Sequence, residues 1–369
     1  MVYYKDVSSY FSYDLREIFR LLRYVQFYKL SRAHLKLQWA RETPFTMETH
    51  PQSSRRTKIV VNADDGFYSD IRDQGIVSCL SAINCGVSDV SVLMNGAVAR
   101  HLLSVSGYHR TQLSALFSYL MKNDLIPGLH FNLTEGKPLT NKRSLQSLLD
   151  YRDCFLGKYG FRERLLSSAV DMNEVELELE SQLQAFRQLF GTVPSHLDGH
   201  QHIHVLPGID AVVARVLSRN GVKWIRVPVE RIPEVSPHLT ETEADFYKNV
   251  SDQATKAREI FSSYNLKYTQ GFIGMAIMGK RQSVDSLDRC LSPLKNCISI
   301  EFMVHPGFKV SCTDNDVGDN TSGCGNPEGP DLFSQSDDRE HEMNFLLSDE
   351  FQKYMLQHNY DLVTFSNLS

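Results

Sequence analysis

From Lys58 onward, short apolar runs alternate with longer stretches whose apolar positions recur every three to four residues. Short runs rich in β-branched residues and bounded by turn formers predict strands; the longer periodic stretches predict helices. Read this way, strands fall at Lys58–Ala63, Val87–Met94, Leu125–Asn132, Val222–Pro228, Gln270–Ile277 and Ile298–Val304, with Tyr360–Phe365 as a closing strand. His196–His204 covers a further strand and its loop. Helices fall at Ile71–Asn84, Asp171–Phe190, Ile209–Arg219, Asp245–Tyr264, Val284–Leu291 and Arg339–Gln357, and Ala97–Asn123 is helical with interruptions. The best marked is Asp171–Phe190. Its apolar residues are Val175, Leu177, Leu179, Leu183, Phe186 and Leu189, Asp171 is placed to cap it and Gly191 to end it. The segment from Pro138 to Gly160 reads as an insertion with turns at Gly157 and Gly160, and residues 311–330 read as a mobile loop.

Repeated strand-then-helix units imply a parallel sheet with helices on its outer face. Seven or eight such units in about 310 residues suit a closed or nearly closed barrel better than an open doubly wound sheet. No GxGxxG follows the first strand and no GxxxxGK[ST] occurs, so nucleotide-binding readings lose support. No repeat of solenoid length is present.

Composition refines this picture in three ways. The chain of 369 residues, 42% hydrophobic, is long enough for one large α/β domain. Its net charge of -5 is uneven: residues 1–57 hold ten basic and five acidic side chains, leaving an acidic body that argues against nucleic acid as a partner. Seven irregularly spaced cysteines without a CxxC pair argue against a disulfide framework or a structural zinc finger and favour a reducing compartment. The sequence therefore divides into a basic extension at 1–57, helical or disordered, and a barrel domain at 58–369. In the extension, Leu15–Leu37 suits a solvated basic helix, a membrane-surface helix or a mitochondrial presequence, although Asp6, Asp14 and Glu17 tell against the last. Met47 is an alternative start. The cytoplasm is the expected compartment, no apolar run reaches the length of a membrane span, and a homodimer is left open.

The candidate chemistry is concentrated in four places. Ser195–His204 packs four histidines and Asp198 into ten residues. Imidazole is a common metal ligand, and a neighbouring carboxylate can fix its tautomer. Asp64 and Asp65 end the first strand, His130 lies in a short apolar run, and His305-Pro306-Gly307 ends a late strand. If the strands are parallel, their C-terminal ends face one way and these groups can converge. One carboxylate with two histidines leaves coordination positions open, which marks a catalytic metal. Each feature has a plainer alternative. Paired aspartates often cap helices, lone histidines such as His130 and His305 are often structural, and His196 and His204 suit packing roles.

The segments Val61–Asp65, Gly128–Leu139, His196–His204 and His305–Gly307, in this order, resemble the YdjC-like carbohydrate deacetylases, a group that includes chitooligosaccharide deacetylases. The resemblance runs from about Lys58 to the C-terminus. It implies a distorted TIM-like (β/α) barrel of parallel strands and outer helices, and metal-dependent hydrolysis of N-acetyl groups on amino sugars or their oligosaccharides. By position it implies Asp65, His130 and His200 as metal ligands, Asp64 as catalytic base and His305 as general acid. His202, Phe67 and Asn132 become substrate-binding candidates, with Asp198 behind a ligand histidine. The resemblance implies magnesium, whereas two imidazoles and a carboxylate also suit zinc. The chain departs from the family in placing Gly66 before Phe67, which bears on a sugar platform. Two other readings stay open: hydrolysis of another ester or amide, and a silent carbohydrate-binding barrel.

Overall fold

The computed structural model describes residues 56–368 apart from 83–85, 106, 108, 233–237, 311–322 and 326–328. They fall within one compact unit, Arg55–Ser369. All but the last two residues of the predicted extension, and most of the predicted mobile loop, lie outside the described residues.

Among the described residues, eight strands, all parallel, form one curled sheet with helices around it, a distorted TIM-like barrel. They are β1 (Thr57–Gly66), β2 (Asp89–Val92), β3 (Gly128–Phe131), β4 (His196–Gly199), β5 (Trp224–Ile225), β6 (Gly271–Ile273), β7 (Ser299–Val304) and β8 (Tyr360–Leu362). The order is β5-β4-β3-β2-β1-β7-β6. β1 is the centre: β7 pairs along it from Lys58 to Ala63, β8 pairs with its start and β2 with its end. One parallel bridge, Trp224 with Lys267, spans the seam between β5 and β6.

The alternation of β1 sorts its side chains. Ile59, Val61 and Ala63 face the main core beneath the helices. Val60 faces inward onto Phe365 and Leu368, which floor the barrel. Asn62 and Asp64 share that inward face, so the layer above the apolar floor is polar. Outside, α1 (Asp70–Ser81) follows β1. The predicted long helix is observed as α2 (Met172–Phe190), capped by Asp171 and ended by left-handed Gly191. It buries Val175, Leu179, Leu183, Phe186 and Leu189, while Leu177 stays exposed.

Four elements differ from the pattern reading. Gly157 opens a helix, α3 (Gly157–Leu166), rather than marking a turn. The strand expected at Val222–Pro228 keeps only Trp224–Ile225 in the ladder, consistent with Pro228 having no N–H to donate. The strand expected at Gln270–Ile277 stops at Ile273, because the N–H groups of Gly274, Met275 and Ala276 donate to Glu230 instead. The predicted Arg339–Gln357 helix divides into α4 (Asp338–Leu346) and α5 (Asp349–Gln357). Ser348 caps the second through the Phe351 N–H, a role its hydroxyl favours over a helix interior. No described helix is long and apolar enough to cross a membrane.

Candidate active site

The end of β1 sets the site. Between Ala63 and Gly66 the register with β2 shifts, and Asp65 has φ 60. That left-handed turn costs about 1–3 kcal/mol. It lets two consecutive aspartates reach one cavity, which a regular strand would send to opposite faces. His130 and Asp198 are register partners on β3 and β4. Gly128 permits this close packing, since a Cβ there would meet the His196 ring at 2.3 Å. His200 follows β4 directly, and the next two residues, Gln201 and His202, both have positive φ. Arg162 holds the loop by donating to the Gln201 carbonyl at 2.7 Å.

Three atoms from distant segments converge. His130 Nε2 lies 3.0 Å and His200 Nδ1 2.9 Å from Asp65 Oδ1, and the two nitrogens are 3.4 Å apart. Ligands about 2.1 Å from one divalent ion sit roughly 3.0–3.4 Å from each other, so the donor set fits such an ion. A second group, Asp64 with His130 and Asp198, already has its cation. The buried Arg226 guanidinium forks onto Asp64 with two 2.6 Å hydrogen bonds, and it lies 2.8 Å from Asp198 and 2.7 Å from Glu301.

Carboxylates behind the imidazoles orient them. His130 Nδ1 contacts Asp198 Oδ1 at 2.8 Å, which requires a proton on Nδ1 and turns Nε2 toward Asp65. Asp198 also accepts from Ser91 at 2.8 Å and from Asn62 at 3.2 Å. His200 Nε2 contacts Glu135 at 3.1 Å, and Glu135 accepts from Tyr68 at 2.8 Å. The other oxygen of Asp65 accepts from Arg339 at 3.0 Å, with Arg72 at 3.5 Å.

The charges follow from this packing. Burial alone would raise Asp65, but His200 and His130 hold it well below the usual carboxylate range. Burial raises Asp64 despite the opposing Arg226. Burial likewise lifts Glu301 to about 8 against Arg226. In the metal-free site, burial disfavours charged imidazole, yet Asp198 and Asp64 lift His130 to about 10 and Asp65 lifts His200 to about 9. His305 differs: burial and then Arg339 hold it well below its ordinary value.

One cavity of about 210 Å³ is lined by Asp64, Asp65, His130, His200, His202 and His305, together with Met278, Met303, Phe333 and Arg339. His305 Nε2 stands 3.9 Å from Asp64, the residue's backbone N–H donates to Glu342, and its ring packs edge-on to Phe333. Asp198 lies behind His130. His196 stacks on Phe365 and His204 contacts the Arg226 carbonyl, both away from the cavity.

Two expectations need correction. Phe67 is 0% exposed and stacks on Phe190 in the core, because its own φ of 67 turns the ring away from the cavity. Asn132 is also fully buried. Its Oδ1 accepts from the N–H groups of Thr134 and Glu135, and its Nδ2 donates to Asn95, so it builds the turn after β3 rather than meeting substrate. Sequence reading missed Glu135, Arg226, Glu301 and Arg339. A signal existed for two of them: Arg226 stands between Ile225 and Val227, and Glu301 between Ile300 and Phe302.

The chain is 34% identical over 333 residues to a protein of Danio rerio named carbohydrate deacetylase, covering 85% of this chain and 98% of that one. A human protein of the same name is 35% identical over 323 residues, covering 86% and 92%. A solved structure of an Enterococcus faecalis protein named for cellobiose-phosphate cleavage superposes with a TM-score of 0.59 at 18% identity, covering 85% of this chain and 99% of that one. That likeness supports the fold alone. The model of the family described as YdjC-like protein matches residues 58–357, a span that includes both aspartates, His130, the histidine run and His305, and the chain therefore belongs to the YdjC-like family.

Proposed function

We propose that this chain is a metal-dependent carbohydrate deacetylase that hydrolyses the N-acetyl group of acetylated amino sugars. The observation carrying this reading is the convergence of Asp65, His130 and His200 on one point beside a second buried carboxylate, Asp64. The names of the relatives supply the carbohydrate. Two imidazoles and one carboxylate suit zinc better than magnesium, which favours oxygen ligands. Bound there, a divalent ion supplies Lewis acidity, lowering the pKa of water and polarising the acetyl oxygen.

The chain's own residues supply the proton transfers. Arg226 fixes the plane of Asp64 by its fork, and burial makes Asp64 a stronger base than an exposed aspartate. As water adds to the acetyl carbon, Asp64 takes its proton. The C–N bond then breaks as the nitrogen gains a proton, leaving acetate and a free amine. His305 Nε2 stands 3.9 Å from Asp64, so the proton can pass through a bridging water to His305 and on to the nitrogen, and the depressed pKa of His305 makes its imidazolium a short-lived, strong acid. His202, whose Nδ1 has no partner among the described residues, faces the same cavity and can meet a sugar hydroxyl.

Acetate release from a panel of N-acetylated amino sugars, with bound metal quantified in the same sample, tests this reading. Release from at least one amino sugar is expected. Hydrolysis of simple acetate esters by metal-loaded protein, with none of any N-acetyl sugar, would favour a different ester or amide substrate.

A further inference from the structure

At about 210 Å³ the catalytic cavity is smaller than the roughly 300–1,000 Å³ usual for a small-ligand pocket. A second groove of about 330 Å³ adjoins it and shares Glu135, Lys158, Gln201 and Asp331 with it. Another neighbouring cavity shares only Phe246. The groove is therefore the more natural continuation for a ligand that outgrows the catalytic cavity.

The charges lining the groove are unequally satisfied. Glu135 is engaged by His200 and Tyr68. Asp331 accepts from Ser334 and faces Arg72 at 3.9 Å. Asp150 accepts from the Arg152 side chain and from the N–H groups of Arg152 and Cys154, which also occupies Arg152. Lys158 has no carboxylate within salt-bridge distance among the described residues. Its Nζ rests 3.6 Å from the centre of the Phe246 ring. Burial, with Arg162 nearby, pulls its pKa down to about 8 against a smaller opposing attraction from Glu243, whose own oxygens are engaged by Thr240 and Arg281. Tyr151, 92% exposed, precedes the groove residue Arg152, whose guanidinium lies 5.5 Å from its ring centre.

We propose that the groove binds a neighbouring sugar bearing a carboxylate, with Lys158 as the carboxylate's partner, so that the substrate is an acidic oligosaccharide joining an N-acetyl amino sugar to a uronic acid. This rests on the deacetylase reading above. A carboxylate suits the site better than a phosphate monoester. One unpaired ammonium balances one negative charge, whereas a phosphate brings about -1.5 to -2 toward Glu135, Asp150 and Asp331.

The test compares acetate release from three disaccharides: N-acetylglucosamine joined to glucuronic acid, the methyl ester of that compound, and a phosphorylated counterpart. A charge-assisted hydrogen bond predicts kcat/KM about 10–100-fold higher for the acid than for its ester. Lys158→Gln should bring that ratio close to one, and Lys158→Glu should invert it, whatever the absolute rates. A wild-type ratio near one, a ratio unchanged by Lys158→Gln, or preference for the phosphorylated compound would overturn the proposal. If no disaccharide yields acetate while another N-acetylated amino sugar does, the acidic-oligosaccharide proposal fails and the deacetylase reading stands; if no N-acetylated sugar yields acetate, the deacetylase reading fails. Calorimetric titration of the acid and its ester into metal-loaded wild-type and Lys158→Gln protein then reads the same ratio from Kd and decides the carboxylate preference separately.

Discussion

Asp198→Asn tests how the barrel prepares His130 for the proposed metal. Asp198 accepts on one oxygen from His130 Nδ1 at 2.8 Å, and on the other from Ser91, Asn62 and Arg226. Every neighbour is a donor, and an amide offers one acceptor oxygen where the carboxylate offers two. If the amide oxygen faces His130, its NH₂ meets three donors. If it turns over, the NH₂ faces His130 Nδ1, and the ring must carry its proton on Nε2, the atom 3.0 Å from Asp65. The lone pair a metal needs is then lost. Disturbing such a partner typically lowers metal affinity about 10–100-fold, or about 1.4–2.8 kcal/mol. Loss of a charged acceptor should also cost about 1.5–3 kcal/mol of stability, Arg226 keeping its fork on Asp64. Competition with a chromophoric chelator measures the first effect and denaturant unfolding the second. The reasoning is refuted if stability falls while metal affinity stays within twofold of wild type, because Asp198 would then be structural only.

Three further outcomes follow from the same geometry. Asp64→Asn should retain metal on Asp65, His130 and His200 while lowering kcat about 10²–10⁴-fold, the usual worth of a general base; loss of metal instead would exchange the roles of the two aspartates. Arg226→Met leaves Asp64 and Asp198 buried without their cation and should cost about 3–5 kcal/mol in urea unfolding, so an unchanged midpoint would count against the ion cluster. Apparent metal affinity should rise with pH. With His130 at about 10 and His200 at about 9 in the metal-free site, both are protonated near neutrality, and binding must release those protons. Each proton displaced adds about 1.4 kcal/mol of affinity per pH unit between pH 6 and 8; a flat profile over that range would contradict the assignment.

The parallel architecture was legible because β-then-α alternation is a local pattern. Asp171, the periodic apolar face and Gly191 marked one helix at both ends for the same reason. That Asp65, His130 and His200 could converge was legible from four short motifs taken together. What escaped was long-range or conformational. Arg226 and Glu301 stand out as charges flanked by apolar residues, but their sequence positions do not reveal that Arg226 meets Asp64, Asp198 and Glu301 inside the barrel. Glu135 is separated by 65 residues from the His200 it orients. Phe67 reads as an exposed platform until its positive φ, and the Asp73 carboxylate that accepts its N–H, turn the ring into the core. The Gly66-Phe67 order thus concerns packing: a Cβ at Gly66 would press within 3.0–3.2 Å of Val92, Val90 and Leu116.

Titrating zinc into chelator-stripped protein, while recording bound metal and acetate release from an N-acetylated amino sugar together, tests the central claim most directly. The account predicts one high-affinity ion per chain, acetate release that rises in step with its binding, and loss of both in His200→Ala. Acetate release by metal-free protein, or full release in a His200→Ala variant that binds no ion, would contradict it.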